Sequence, residues 1–194
     1  MIAKNCLHIT LLPFPFFFFF AFLSLLKIIF IFPTIFLFIL QFLFLFFFRD
    51  VKRHIGEGII SPVDGKIMEI EGRISIFMSI FDMHVNLMPY DGKIVKMKYV
   101  KGKHIPAYRK VNENERMEIE IDSDIGKMKL VMIAGIFARR IVSYVKEGEY
   151  IKKGEKIGII RFGSRIELYL PKHCKTIVKK GEKIKAGETI AIFS

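Results

Sequence analysis

Between Leu11 and Phe48 the chain has almost no charge: Lys27 is the one charged residue, and phenylalanine and leucine supply most of the rest. Such a stretch has nothing to offer water and reads as a segment solvated by lipid. At about 1.5 Å of rise per residue, against a hydrocarbon layer about 30 Å thick, it is too long for one upright span. It predicts a hairpin of two short helices, or one span plus an interfacial helix, with the bend at Pro33 or in the neighbourhood of Ser24 to Lys27. A cleaved secretory signal is the competing reading, but the apolar run is long for one and no small-residue cleavage site follows it. Lys4 and the α-amino group precede the run, and Arg49, Lys52 and Arg53 follow it in "RDVKR". Positive flanks on both sides of a hairpin put both ends in the cytoplasm, which predicts an anchor in the cell (inner) membrane with the remainder on the cytoplasmic side.

Cysteine is equally scarce. Cys6 and Cys174 cannot build a disulfide framework, which suits a reducing compartment. His173 beside Cys174 lacks the second ligand pair that a metal site requires, so no metal is expected. Acidic residues are outnumbered: the chain carries a formal +12, and residues 49–194 hold every basic side chain except Lys4 and Lys27 together with all 19 acidic ones. That basic balance fits attraction to anionic headgroups, or simply a lysine-rich solvated surface. No basic helix or aromatic platform accompanies it, so nucleic acid is not an expected partner.

What the soluble part does contain is a series of short β-branched runs punctuated by glycine: "GII", "GKIMEIEG", "RISIFMSI", "GKIVKMKYV", "MEIEI" and "KMKLVMI". Alternation with turn glycines at this spacing predicts an antiparallel β domain. Ala134 to Val145 is compatible with helix or strand. "YVKEGEYIKKGEKIGII" (144–160) and "IVKKGEKIKAGETIAIF" (177–193) superpose with an offset of 33, matching Gly148 to Gly181 and Gly154 to Gly187. Two equivalent hairpin units follow. The spacing resembles the barrel-sandwich hybrid of lipoyl and biotinyl carriers, but the "DKA" or "MKM" tip of a carrier is missing. A membrane-tethered adaptor built on similar hairpins would need heptad runs, and these are missing too. The expected fold is mainly β with a minor α part: a hydrophobic helical hairpin (1–48), then a β-rich domain (49–194) with duplicated lipoyl-like hairpins.

Three segments hold residues able to move protons or attack a carbonyl: "SPVDGKI" with Asp64, "SIFDMHVNLMP" with His84, and "RFGSR" with Ser164. Taken singly each has a structural reading. Asp64 sits in a turn composition, His84 in an apolar run, and Ser164 lacks the second glycine of a nucleophile elbow.

Taken in order, "IISPVDGKI", "FMSIFDMHVNLMPYDGKI", "ENER", "IAGIFARRI" and "IRFGSRIELYLP" resemble the phosphatidylserine decarboxylase family in its short, membrane-tethered prokaryotic form. The resemblance implies that Gly163-Ser164 is a self-cleavage site. The Ser164 hydroxyl would attack the Gly163 carbonyl, and elimination would leave a pyruvoyl cofactor at Ser164, dividing the precursor into a β chain (1–163) and an α chain (164–194). Glycine leaves that carbonyl sterically open, and serine serves as nucleophile and cofactor precursor. His84 would be the base and Asp64 the carboxylate that orients or charge-stabilises it. Longer members carry a second histidine three residues on, where this chain has Leu87. In turnover the ketone would take the amine of a serine headgroup, carbon dioxide would leave, and an ethanolamine lipid would be released, with His84 supplying the proton. Arg139, Arg140 and Arg165 are candidates for the lipid phosphate, or for pairing with Glu113, Glu115 or Glu167. The implied partners are an anionic phospholipid in its membrane and the two chains of one precursor. The sequence leaves open whether the headgroup sits on an acyl-ester or an ether-linked archaeal backbone, whether copies form a homo-oligomer, whether a group other than His84 is the processing base given Leu87, and whether the chain is a processing-inactive relative that keeps the fold.

Overall fold

The computed structural model describes residues 2–103, 105, 113–135, 140–161 and 164–193, with the side chain of Arg140 outside the description. The chain divides into two units, Met1–Val51 and Lys52–Ser194.

The first unit is helical: α1 (Leu7–Thr10), α2 (Pro13–Leu26), a 3-10 turn at Ile28–Phe30 and α3 (Ile31–Phe47). Two stretches, Leu7–Leu26 and Ile28–Phe47, are each long and apolar enough to span or anchor in a membrane. The break between them falls at Lys27, whose extended backbone (φ −143°, ψ 125°) ends α2. Of the two bend positions expected, the Ser24 to Lys27 neighbourhood therefore holds it. Pro33 lies in the first turn of α3, where a missing amide proton costs nothing. Phe17 packs on Phe38 across the hairpin with ring centroids 5.8 Å apart. Gln41 Nε2 donates to the Thr10 carbonyl at 2.9 Å, a polar tie where water is scarce.

Among its described residues the second unit forms strands and turns, with no helix. Its strands are β1 (Ile59–Ile60), β2 (Gly65–Glu69), β3 (Ile74–Met78), β4 (Val85–Leu87), β5 (Gly92–Val100), β6 (Arg116–Ser123), β7 (Gly126–Ala134), β8 (Arg140–Ser143), β9 (Tyr150–Ile151), β10 (Lys156–Arg161), β11 (Ser164–Tyr169), β12 (Lys175–Thr176), β13 (Lys183–Ile184) and β14 (Thr189–Ile192). The segment open to either reading thus supplies a strand, β8. One sheet runs β13-β2-β3-β11-β7-β6-β5-β9; two smaller ones run β1-β14-β12 and β4-β10-β8. Ile67, Ile76, Ile119, Leu130, Met132, Ile166 and Leu168 meet in the core. On β5 and β6 buried residues alternate with exposed ones, so that part of the large sheet buries one face, whereas β3, β7 and β11 are buried on both faces along most of their length.

The C-terminal repeat is visible as four copies of one turn. Gly148, Gly154, Gly181 and Gly187 have φ of 87°, 81°, 90° and 91°, a region that L side chains avoid. Each turn is closed by a glutamate that accepts the amide of the residue three before it, at 2.9, 2.9, 2.8 and 2.8 Å for Glu149, Glu155, Glu182 and Glu188. The four glycine amides donate to Ile94, Met88, Ile67 and Ser61 respectively. Those acceptors expose a second repeat, "SPVDGKI" (61–67) and "MPYDGKI" (88–94), offset by 27. Its halves bond reciprocally, Leu87 N to Pro62 O and Ile60 N to Pro89 O. The pairing of Gly65 with Ile184 and Lys66 with Lys183 is repeated by Gly92 with Ile151 and Lys93 with Tyr150. The domain therefore contains two copies of one motif. One copy is built from β1–β2 and the last repeat, the other from β4–β5 and the preceding repeat, which is the duplicated lipoyl-like architecture expected.

Candidate active site

Ser164 opens β11, the strand held between β3 and β7. Its register partners are Met78 and Ala134, and it is fully buried. The hydroxyl lies 3.7 Å from Met78 Sδ. A thioether accepts weakly, so this contact does not commit the hydroxyl proton to a strong partner. Residues 162 and 163, including the Gly163 of the expected cleavage site, lie outside the described residues.

The chain reaches Ser164 by leaving β10, a strand of a three-stranded sheet, and entering β11, a strand of the eight-stranded one. A second connection makes the same passage: β3 pairs with β11, β4 pairs with β10, and residues 79–84 join them. His84 is the last residue of that connection. Its carbonyl accepts the amide of Ile160 at 3.4 Å, four residues before Ser164. Ser164 and His84 are thus each the residue at which the chain, having changed sheet, enters a strand, and their strands β11 and β4 pair with the strands from which the other connection departs. His84 is fully buried, and its Nδ1 is 2.9 Å from the Asp82 carbonyl oxygen. A carbonyl can only accept, so this contact places the ring proton on Nδ1 and makes Nε2 the proton-accepting nitrogen.

Asp64 is 6% exposed and ties three segments together. Its Oδ1 accepts from Ala186 N at 2.8 Å. Its Oδ2 accepts from the guanidinium of Arg53 and, at 3.4 Å, from Met83 N, the residue before His84. The carboxylate therefore reaches His84 through the backbone next to it. The internal repeat separates its duties: the equivalent Asp91 accepts from Lys153 N at 2.6 Å, as Asp64 does from Ala186 N. The turn-closing role is common to both copies, and the Arg53 and Met83 contacts are additional.

Arg165 follows Ser164 on β11, so its side chain leaves the opposite face of the sheet. It is 5% exposed and pairs with Glu167 at 3.0 Å, which Arg73 also approaches at 3.3 Å. Of the pairings considered for the arginines, Arg165 with Glu167 is the one present here. Arg139 and the side chain of Arg140 lie outside the described residues. Leu87 is buried on β4, so no titratable group occupies its position. Among the described residues no group of three His, Cys, Asp or Glu side chains is arranged to hold a metal.

Two contributors were not singled out from sequence. Arg53 was read only as a membrane flank. Asn86 is fully buried between strands, with Nδ2 donating to the His84 carbonyl at 2.9 Å and to the Gly158 carbonyl at 3.4 Å, so it ties the end of the His84 connection to β10. An asparagine inside the apolar run "MHVNLMP" is the signal that marks it.

A helical hairpin apolar enough to span or anchor in a membrane thus precedes a duplicated β unit that buries a serine and a histidine. Comparison with known proteins narrows this: a model of phosphatidylserine decarboxylase matches residues 71–192, and the chain belongs to that family. Its relatives include a protein of Archaeoglobus fulgidus provisionally named archaetidylserine decarboxylase proenzyme, 50% identical over 65% of this chain and 65% of that one. A phosphatidylserine decarboxylase proenzyme of Syntrophus aciditrophicus is 41% identical over 68% of this chain and 70% of its own. One of Streptomyces griseus is 43% identical over 65% and 62%. The chain thus spans about two thirds of the length of these relatives.

Proposed function

We propose that the protein is a self-processing decarboxylase of serine phospholipids, releasing carbon dioxide and the corresponding ethanolamine lipid. The observation that carries this reading is the position of Ser164, buried at the start of a central strand and beside the crossing that ends in His84. The family supports it, since its named members are proenzymes of serine-lipid decarboxylases.

Processing uses the chain's own residues. His84 takes the Ser164 proton, and the hydroxyl attacks the Gly163 carbonyl, so that the peptide bond becomes an ester. Removal of the Ser164 α-proton then expels the Gly163 carboxylate, and water replaces the resulting enamine nitrogen as ammonia. The products are a β chain (1–163) and an α chain (164–194) beginning with a pyruvoyl group. The residues present fit such a group: the serine is buried and flanked by Met78 and Ala134. Once formed, a pyruvoyl ketone supplies an electrophile for the substrate amine and a sink for the electrons left by carbon dioxide. His84 returns a proton at the substrate carbon, and Asp64 holds the His84 crossing in place. Arg139 and Arg140 are assigned to the lipid phosphate, and Arg165 to Glu167. The anchor keeps the site at the surface of the membrane that contains the lipid, on the cytoplasmic side. Both diacyl and archaeal ether lipids present the same serine headgroup, and both belong to this reading.

Intact mass of the purified protein beside a Ser164→Ala variant tests it. Two chains divided after Gly163, the smaller bearing a ketone that borohydride reduces, with the variant left whole, are the expected result. A single uncut chain in folded native protein would sink the mechanism.

A further inference from the structure

The connection that delivers His84 has an outer surface that processing does not use. Ser79 to Asp82 form a locked turn: Asp82 Oδ2 accepts both the Ser79 amide and hydroxyl at 2.7 Å, Asp82 N donates to Ser79 O at 3.1 Å, and Phe81 N donates to Ser79 Oγ at 3.3 Å. At its tip Ile80 and Phe81 are 52% and 64% exposed. A turn fastened by four bonds holds two large apolar side chains in water by construction and not through looseness.

Beside this tip is a cavity of about 380 Å³, whose lining includes Ser79 and Asp82 of the turn together with Lys66, Lys183 and Lys185. All three lysines are exposed. Lys66 and Lys183 are direct cross-strand partners, an arrangement of like charges that disfavours the β2–β13 pairing. The other copy of the motif shows that the fold does not demand it, because Lys93 there faces Tyr150. Each carboxylate of the same cavity already accepts hydrogen bonds within the fold: Asp64 from Arg53 and Ala186, Asp82 from Ser79, and Glu188 from the Lys185 amide.

We infer that this face, with Ile80 and Phe81 as the apolar tip and Lys66, Lys183 and Lys185 as the basic rim, is a docking surface for an anionic bilayer. The apolar pair enters the acyl boundary while the ammonium groups meet lipid phosphates, the pairing of forces that holds peripheral proteins to such surfaces. The inference rests on the lipid-headgroup reading above and adds to it a contact made by the catalytic unit itself. The docked tip belongs to the crossing that carries His84, so lipid contact and His84 share one short segment.

The chain contains no tryptophan, so Phe81→Trp gives a single reporter. The full-length variant is reconstituted in vesicles of phosphatidylcholine and phosphatidylglycerol containing acyl-brominated lipid, beside a Tyr150→Trp control, whose site is 64% exposed on β9 at the far edge of the large sheet. The expected result is a blue-shifted emission for Trp at 81, quenched by roughly half or more, with the control little affected. Reversal of the rim with Lys66→Glu, Lys183→Glu and Lys185→Glu, or omission of phosphatidylglycerol, should remove most of that quenching. Water-like emission at 81, equal quenching at both sites, or quenching indifferent to the rim and to phosphatidylglycerol would each overturn the proposal. The readout is repeated in the Ser164→Ala background. It does not depend on processing, so failure of the decarboxylase reading and failure of this surface are told apart.

Discussion

At the scale of single residues, Asp64 and Asp91 form a comparison built into the molecule. Each closes a turn through one carboxylate oxygen, and only Asp64 uses the other to hold Arg53 and the Met83 amide. Asp64→Asn and Asp91→Asn should therefore both lower stability, but only Asp64→Asn should slow processing, followed as the time course of chain cleavage after refolding. Arg53→Met leaves the buried carboxylate without its cation and should cost about 3 kcal/mol in denaturant unfolding, at the low end for a broken buried pair. The four turn glycines make a second comparison. At Gly181 a Cβ meets nothing within 4 Å, whereas at Gly187 it would overlap the His54 carbonyl. Gly181→Ala should cost about 1 to 2 kcal/mol from its positive φ alone, and Gly187→Ala clearly more, when the two are unfolded side by side.

Strands and their ladders set the next scale. On β6 and β7, Glu118 receives Lys129 and Arg116, both at 2.7 Å. Lys129 foremost, then Arg116, hold the carboxyl below its ordinary 4.5. A depressed pKa stabilises the fold above the ordinary value, and the contribution is lost as pH falls through the depressed one. Melting temperature should accordingly drop on acidification below about pH 4.5, and Glu118→Gln should flatten that decline while starting from a lower value at neutral pH. Much at this scale could be read from the sequence. Glycine-bounded runs announced the strands, and the offset of 33 announced the paired hairpins. The offset of 27 between "SPVDGKI" and "MPYDGKI" is as plain, yet its meaning appears only when the glycine amides are seen to bond to those segments. Ser164, His84 and Asp64 were legible as a set through their order in the chain. Arg53 was not, because a cation after an apolar run already has a sufficient explanation as a membrane flank. Nor was the route by which Asp64 reaches His84, since a contact through the neighbouring backbone leaves no residue signature.

Over the whole molecule, the segment beyond Ser164 is woven into the fold at three places: β11 between β3 and β7, β13 against β2, and β14 between β1 and β12. This retention is stronger than the C-terminal repeat alone would give, because β11 lies inside the large sheet. Processed protein should keep both chains together through gel filtration and dilute denaturant, and release the smaller one only at the global unfolding transition. After full denaturation and dilution, Ser164→Ala should refold as one chain, whereas the separated native chains should recover their fold slowly or not at all, as circular dichroism would report.

The interleaving of the two motif copies has a bearing on timing. One copy is assembled from the start and the end of the β unit, so it closes only when the last strands arrive, and with them comes the Ala186 amide that fixes Asp64, the carboxylate that holds the Met83 amide beside His84. On the self-processing reading proposed above, a chain that stalls partway would leave the His84 crossing without that tie and would cut itself slowly or not at all. The reactive ketone would then arise chiefly in molecules that have already passed the test of folding, and its appearance would certify, one molecule at a time, that the surrounding sheet is complete.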